Sequence, residues 1–133
     1  MPNDPPPLVR VGFTPEFKRN LRQLAKKYRH IKSDLQEILD ELADGKKPGD
    51  QIPRVRYEVY EVRAKNSDAQ RGKRGGYRLI YYVKSASELA LVTVYSKTEQ
   101  SDIAPEDIRR IILDSQSRPA SDATSESESE AAN

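Results

Sequence analysis

The sequence predicts one small α+β domain, in which a helical hairpin covers one face of a small, mostly antiparallel sheet. Apolar residues repeat at helical spacing early in the chain and fall in strand-like runs after it, a segregation of helices and strands that is typical of this class. The length of 133 residues is close to that of a single domain. The predicted order of elements is β-α-α-β-β-β-α.

The composition separates a folded middle from two polar ends. Residues 1–7 are rich in proline and predict a flexible arm. Residues 115–133 carry one arginine against four acidic residues and show no apolar periodicity, which predicts a disordered acidic tail. We therefore expect the folded domain to occupy residues 8–114.

The residue types present also limit the chemistry. The absence of cysteine excludes disulfides, thiolate catalysis and cysteine-based zinc sites. His30 is the one histidine, and the carboxylates are not spaced as in a two-metal nuclease, so we expect neither a metal nor a cofactor. The first residues contain no apolar stretch of signal-peptide length, which predicts a cytoplasmic protein without a membrane partner.

The first strand and the first helix are predicted from adjacent signals. The run Leu8–Phe13 is rich in β-type residues. Thr14 then supplies a helix N-cap and Pro15 a first helical residue. The apolar positions that follow repeat every 3.6 residues or so: Phe17, Leu21, Leu24 and Tyr28. An amphipathic helix with a basic outer face is the prediction.

A second amphipathic helix follows after a short turn. Ser33 and Gln36 have the spacing of a capping box, and Gly45 supplies a C-terminal stop. The apolar positions are Ile31, Leu35, Ile38, Leu39 and Leu42. Because the connection between the two helices is short, they are predicted to form an antiparallel hairpin.

Three β-type runs and a last helix complete the predicted domain. The runs are Arg54–Ala64, Tyr77–Lys84 and Glu88–Tyr95. The short connections favour an antiparallel meander. Pro105 then begins a helix with Ile108, Ile111 and Ile112 on one face.

The densest positive charge lies between Arg54 and Arg78, where eight lysines and arginines accompany three acidic residues. Gly75 and Gly76 allow backbone angles that other residues avoid, so backbone amides there can approach a phosphate closely. Arginine offers phosphate a two-pronged fork and lysine a point charge. The segment predicts a polyanion-binding strand pair, and RNA is the expected polyanion.

Three segments carry a resemblance to a known family: VYEVR at 59–63, GKRGGYRLIYY at 72–82 and VTVYSK at 92–97. Together they resemble the RelE/HigB toxins of the RelE/ParE toxin–antitoxin superfamily, over roughly residues 8–113. The resemblance implies a RelE-like fold and the toxin of a type II toxin–antitoxin pair. Such a toxin is a metal-independent, ribosome-dependent mRNA endoribonuclease, and its partners are mRNA on the ribosome and a cognate antitoxin protein.

The same resemblance implies catalytic residues. Cleavage of RNA by its 2′-hydroxyl requires stabilisation of negative charge and two proton transfers, and cations serve the first task. Arg78 and Lys97 match the family's phosphate-stabilising cations, and Arg63 matches a cation of the preceding strand. We expect the Arg78 side chain to be exposed.

The proton-transfer residues depart from the family pattern. Glu61 stands where some relatives have a strand lysine, and Ile103 lies near the position of a catalytic tyrosine. Lys65 is therefore the candidate general base, because a lysine among other cations has a lowered pKa. Further RNA contacts are expected from the loop cations Arg71, Lys73 and Arg74, with base stacking on Tyr77 and Tyr95.

Two other functions are compatible with these residues. The ParE branch of the superfamily resembles this architecture and acts on DNA gyrase, which would make the protein a binding inhibitor. A non-catalytic RNA-binding module would use the same basic face without a proton donor and acceptor.

Overall fold

The fold confirms the predicted α+β class. The computed structural model describes residues 9–70 and 75–116. The elements along this part of the chain are β1 (Arg10–Phe13), α1 (Pro15–Lys27), α2 (Ile31–Ala43), β2 (Asp50–Gln51), β3 (Val59–Ala64), β4 (Tyr77–Ser85), β5 (Glu88–Ser96) and α3 (Pro105–Gln116). Residues 115 and 116, which we placed in the acidic tail, belong to α3. The predicted arm at 1–7 and the rest of the tail lie outside the described residues.

Helix α1 begins at the predicted cap. The hydroxyl of Thr14 accepts a hydrogen bond of 2.9 Å from the Phe17 amide, and Pro15 occupies the first helical position. The same hydroxyl donates to the Val92 carbonyl at 2.7 Å. The cap therefore also fixes the start of α1 to strand β5.

The N-cap of helix α2 lies three residues before Ser33, the N-cap of the predicted capping box. His30 is the N-cap residue and Ile31 the first helical residue. The Ser33 hydroxyl, already inside the helix, donates to the His30 carbonyl at 2.9 Å, so the capping-box prediction is wrong. The predicted stop is confirmed: Gly45 has a φ of 92°, a conformation that glycine adopts without steric cost.

The described strands form a five-stranded sheet in the order β1-β5-β4-β3-β2. The pairs among β2, β3, β4 and β5 are antiparallel, as the short connections predict. β1 instead pairs parallel with β5, with Arg10 opposite Glu88 and Phe13 opposite Leu91. The first strand thus lies beside the last, at one edge of the sheet.

The segment before β3 differs from the prediction. The strand expected from Arg54 begins at Val59, and a two-residue strand, β2, forms before it at Asp50–Gln51. Gly49 precedes β2 with a φ of 96°, and a Cβ there would overlap the Glu61 carbonyl oxygen. The turn is therefore pressed against β3, and residues 52–58 form an irregular loop.

Hydrophobic side chains cover both faces of the sheet. The helical hairpin packs on one face, where its core includes Ile31, Leu35 and Leu42 against Leu79. On the other face lies α3, through Ile108 and Ile112; Val55, Val59, Ile80 and Val92 also belong to this second core. The central strands are therefore buried on both sides.

Candidate functional site

Strand pairing brings three of the predicted catalytic cations to one end of the sheet. Arg63 of β3 lies directly opposite Arg78 of β4, and Arg78 lies opposite Tyr95 of β5. The backbone amide of Lys97, just past β5, donates to the Gly76 carbonyl at 2.9 Å. We call Arg63, Arg78 and Lys97 the strand-end cluster.

Arg78 points to the sheet face that carries α3. Side chains alternate along a strand, and its neighbours Tyr77 and Leu79 belong to the core beneath the helical hairpin. Ile80, two residues on from Arg78, belongs to the core beneath α3. The cluster therefore lies on the face opposite the hairpin.

The burial of Arg78 corrects the expectation of an exposed side chain. Only 4% of the residue is accessible to solvent, and one guanidinium nitrogen, Nη1, lies 3.4 Å from the Tyr77 carbonyl oxygen, to which it donates. Its cross-strand neighbour Arg63 is exposed. The two arginines therefore differ: Arg78 is part of the packed structure, and Arg63 is available to a ligand.

Lys97 is held by a carboxylate that the sequence did not single out. Its Nζ lies 2.6 Å from Oδ1 of Asp102, in the segment that leads to α3. The pKa of Asp102 is held below its ordinary value, mainly by the hydrogen bond and charge of Lys97. The charges of Arg78 and Arg63 lower it further. All three cations of the cluster therefore act on one carboxylate, which stays ionised at neutral pH.

Lys65, the candidate base, lines the same cavity as Arg63 of the cluster. It lies one residue past the end of β3 and is exposed, and the cavity, of about 400 Å³, lies between β3 and α2. The α2 wall of that cavity includes Asp34, Glu37 and Glu41. Lys65 is not among the charges that lower the pKa of Asp102. Its role as a base stays a prediction.

The two tyrosines expected to stack on bases are buried. Tyr77 is 0% exposed, and its ring meets that of Tyr28 edge to face at 5.8 Å. Tyr95 is 4% exposed and its hydroxyl donates to Oε2 of Glu61 at 3.1 Å. Burial is the main cause that raises the pKa of Tyr95, and the negative charge of Glu61 raises it further. Neither ring presents an exposed face in this structure, and base stacking by Tyr77 and Tyr95 stays a prediction.

The remaining predicted RNA contacts fall on the loop between β3 and β4. Arg71, Lys73 and Arg74 lie outside the described residues. The part of this loop that the structure describes attaches to the helical hairpin through Asp68. The imidazole Nδ1 of His30 lies 2.7 Å from Oδ1 of Asp68, and hydrogen bonding to His30 lowers the pKa of Asp68.

A second cationic feature lies at the start of the basic segment, and the sequence did not predict its backbone conformation. Arg54 and Arg56 are exposed and have φ values of 70° and 74°, while Val55 between them is 0% exposed in the core beneath α3. Bulky side chains rarely adopt positive φ, so these two residues are conformational outliers. We call residues 53–57 the double-arginine loop. The alternation of cationic and apolar residues in this segment is also typical of a strand, which is how it was interpreted.

Comparison with known families identifies the kind of protein. A family model described as the ParE toxin of type II toxin–antitoxin system, parDE, matches residues 11–101. The chain belongs to this ParE toxin family. The match covers both helices of the hairpin and strands β1 to β5. A search of curated proteins found no match.

Family membership confirms the predicted superfamily and the type II toxin–antitoxin assignment, and it implies a cognate antitoxin as partner. The narrower assignment to RelE/HigB is not confirmed. Within residues 9–70 and 75–116, no helix is long and apolar enough to cross a membrane. No group of three histidine or acidic residues in this same part of the chain is arranged to hold a metal ion.

Proposed function

We propose that this protein is a cytoplasmic ParE-type toxin that inhibits DNA gyrase by binding to it, and that it is not a nuclease. The observation that carries the proposal is the ParE family match over residues 11–101. The composition of the strand-end cluster supports it, because the cluster supplies charge without a group suited to proton transfer.

RNA cleavage needs an acid and a base whose pKa values lie near neutrality. The two candidates beside the cluster are shifted away from that range. The pKa of Asp102 is lowered by Lys97, and the pKa of Tyr95 is raised by burial. Asp102 is therefore a constant anion and Tyr95 a constant neutral phenol at physiological pH.

A binding role suits the same geometry. Arg63 is exposed beside a buried arginine, and Lys97 is half-buried on its ion pair with Asp102, so the cluster presents fixed charge on a rigid sheet. Preorganised charge favours specific protein recognition, because little side-chain entropy is lost on binding. On this proposal the cluster forms part of the surface that contacts gyrase.

A supercoiling assay tests the proposal. Purified toxin is added to gyrase, ATP and relaxed plasmid, and we expect supercoiling to fall with toxin concentration and to recover when the antitoxin is added. Arg63→Ala should weaken inhibition about tenfold or more, whereas Arg22→Ala, which removes an exposed arginine from α1, serves as the matched control. Undiminished supercoiling at a large excess of folded toxin contradicts the proposal.

The second candidate function is ribosome-dependent mRNA cleavage. The convergence of Arg63, Arg78 and Lys97 favours it, because three cations at one point suit a phosphate that gains charge in the transition state. Mapping of mRNA ends after incubation with translating ribosomes distinguishes the two. New cleavage ends together with normal gyrase activity would favour the nuclease.

A further inference from the structure

We infer that the double-arginine loop is a binding site for the phosphate backbone of nucleic acid, separate from the strand-end cluster. The inference goes beyond inhibition of a protein target and does not depend on which target the toxin has. It begins from the backbone conformation of the loop, where two residues with positive φ, Arg54 and Arg56, flank the buried Val55.

The conformation is held in place by the surrounding structure. Val55 is fully buried in the core beneath α3, and Tyr57 packs its ring edge to face on Tyr82 at a centroid distance of 5.1 Å. The Ile52 amide donates to the Val59 carbonyl at 2.8 Å and closes the loop. Arg54 and Arg56 are therefore displayed from a fixed support, on either side of an apolar anchor.

The two arginines do not contribute to stability through ion pairs. None of the ion pairs within the described residues involves Arg54 or Arg56. The nearest carboxylate in the sequence, Glu58, already binds Lys47 at 3.0 Å and accepts from the Tyr60 hydroxyl at 2.9 Å. Glycine would adopt the same backbone angles at lower cost. The outlying backbone turns Val55 into the core beneath α3, and it also leaves Arg54 and Arg56 exposed on either side, where a ligand can reach them.

Arginine side chains recognise phosphate and carboxylate oxygens, and the distribution of charge favours phosphate. The loop lies near the C-terminal end of α3, where Gln116 donates to the Tyr82 hydroxyl at 3.2 Å. The strand-end cluster lies near the other end of α3, beside Asp102. Positive charge therefore occurs at both ends of one face. Helix α3 between them carries Arg109 and Arg110 together with Glu106, Asp107 and Asp114, so the favourable contacts for phosphate lie at the two ends.

The distance between the double-arginine loop and the strand-end cluster fits one continuous polyanion. Helix α3 has 12 residues, which corresponds to ~18 Å at about 1.5 Å per residue. That length matches about five nucleotides of a strand, at roughly 3.4 Å per nucleotide. A single nucleic-acid backbone can thus reach the loop and the cluster together, whereas an acidic patch on a protein needs no such extension.

Salt-dependent binding provides the test. The affinity of the full chain for a 20-base-pair duplex is measured between low and physiological salt, with a single-stranded RNA of equal length as the second probe. The variant Arg54→Gly/Arg56→Gly should bind the duplex more weakly, and the slope of log affinity against log salt should fall in magnitude by ~1.8, since each lost phosphate contact removes about 0.9. Its melting temperature should not fall, because glycine relieves the backbone strain.

Two further variants keep the test decisive. Arg54→Gln/Arg56→Gln removes the charges without adding glycine and should show the same loss of slope. Arg22→Gln/Lys26→Gln removes two exposed charges from α1 and should change the slope by less than half as much. Equal losses in the α1 control, or an unchanged slope in both loop variants, overturn the inference. An unchanged slope accompanied by loss of gyrase or antitoxin binding would also overturn it, in favour of an acidic protein partner.

Discussion

The strand-end cluster and the double-arginine loop are both cationic and lie toward opposite ends of the face that carries α3, yet the fold holds them in different ways. In the cluster, regular strands place Arg78 in the interior and Asp102 neutralises Lys97. In the loop, an irregular backbone buries Val55 and leaves both arginines in solvent. In the cluster, therefore, only Arg63 is exposed, whereas in the loop both arginines are exposed, although both regions are rich in cationic residues. Substitutions in the two regions test this comparison, because a structural charge should affect the free energy of unfolding and an accessible one should not.

The largest expected effect is on Arg78. Arg78→Ala should lower the free energy of unfolding by about 3 kcal/mol, because it removes buried packing and a charged hydrogen bond. Arg63→Ala, at the cross-strand partner, should change it by less than ~0.5 kcal/mol, since that side chain is exposed. Urea denaturation measures both. Equal stabilities of the two variants would remove the distinction between a structural and an accessible arginine.

The next effect is on the anchor of the loop. Val55→Ala should cost about 2 kcal/mol, because it removes two buried methyl groups and leaves a cavity in the core beneath α3. The loop should also become more susceptible to cleavage by trypsin at Arg54 and Arg56. Urea denaturation gives the first quantity and limited proteolysis the second. A Val55→Ala protein as stable as wild type would show that Val55 does not anchor the loop.

A smaller, stabilising effect is expected at Tyr77, next to Arg78. The Tyr77 hydroxyl is the one buried side-chain polar atom in the described residues without a hydrogen-bond partner, and burial raises its pKa. Tyr77→Phe should raise the free energy of unfolding by about 1 kcal/mol, because an unsatisfied buried hydroxyl is removed while the ring is kept. Thermal melting measures the gain. A loss would indicate that a hydrogen bond to the hydroxyl forms in solution.

The smallest expected effect on stability concerns the ion pair between Lys97 and Asp102. The pKa of Asp102 is lowered in the folded state by Lys97, so the pair is present above the ordinary carboxyl pKa of about 4 and is lost as the pH falls below it. Asp102→Asn should therefore change stability slightly at neutral pH and have no effect at strongly acidic pH. Titration of the Asp102 carboxyl by NMR should give a midpoint below that of a free aspartate, and a midpoint above it would contradict the assignment.

Periodicity and capping signals predicted most of the fold. Thr14 and Pro15 specified the start of α1, and runs rich in Val, Ile, Leu and Tyr specified β4 and β5, because these signals depend on residues close in sequence. The double-arginine loop was misassigned because its alternation resembles a strand. Only the burial of Val55 against α3, which lies far along the chain, forces the backbone out of the strand conformation.

The candidate site was predicted in part for a similar reason. The family resemblance grouped Arg63 with Arg78, and the structure places them directly opposite each other on β3 and β4. The burial of Arg78 was not predicted, because it depends on the way α3 covers the second face of the sheet. Asp102 was missed because an irregular segment separates it from Lys97, and no local rule predicts that ion pair.

The parallel pairing of β1 with β5 has a consequence for synthesis of the toxin. The Thr14 hydroxyl reaches the carbonyl of Val92, 78 residues later, so the sheet cannot close until nearly the whole domain has left the ribosome. The helical hairpin forms early but has no apolar surface to cover until β4 and β5 emerge. Contacts of such long range make folding slow and leave that surface exposed to other molecules in the meantime. The apolar face of the hairpin is therefore open to other molecules for as long as β4 and β5 are still being synthesised.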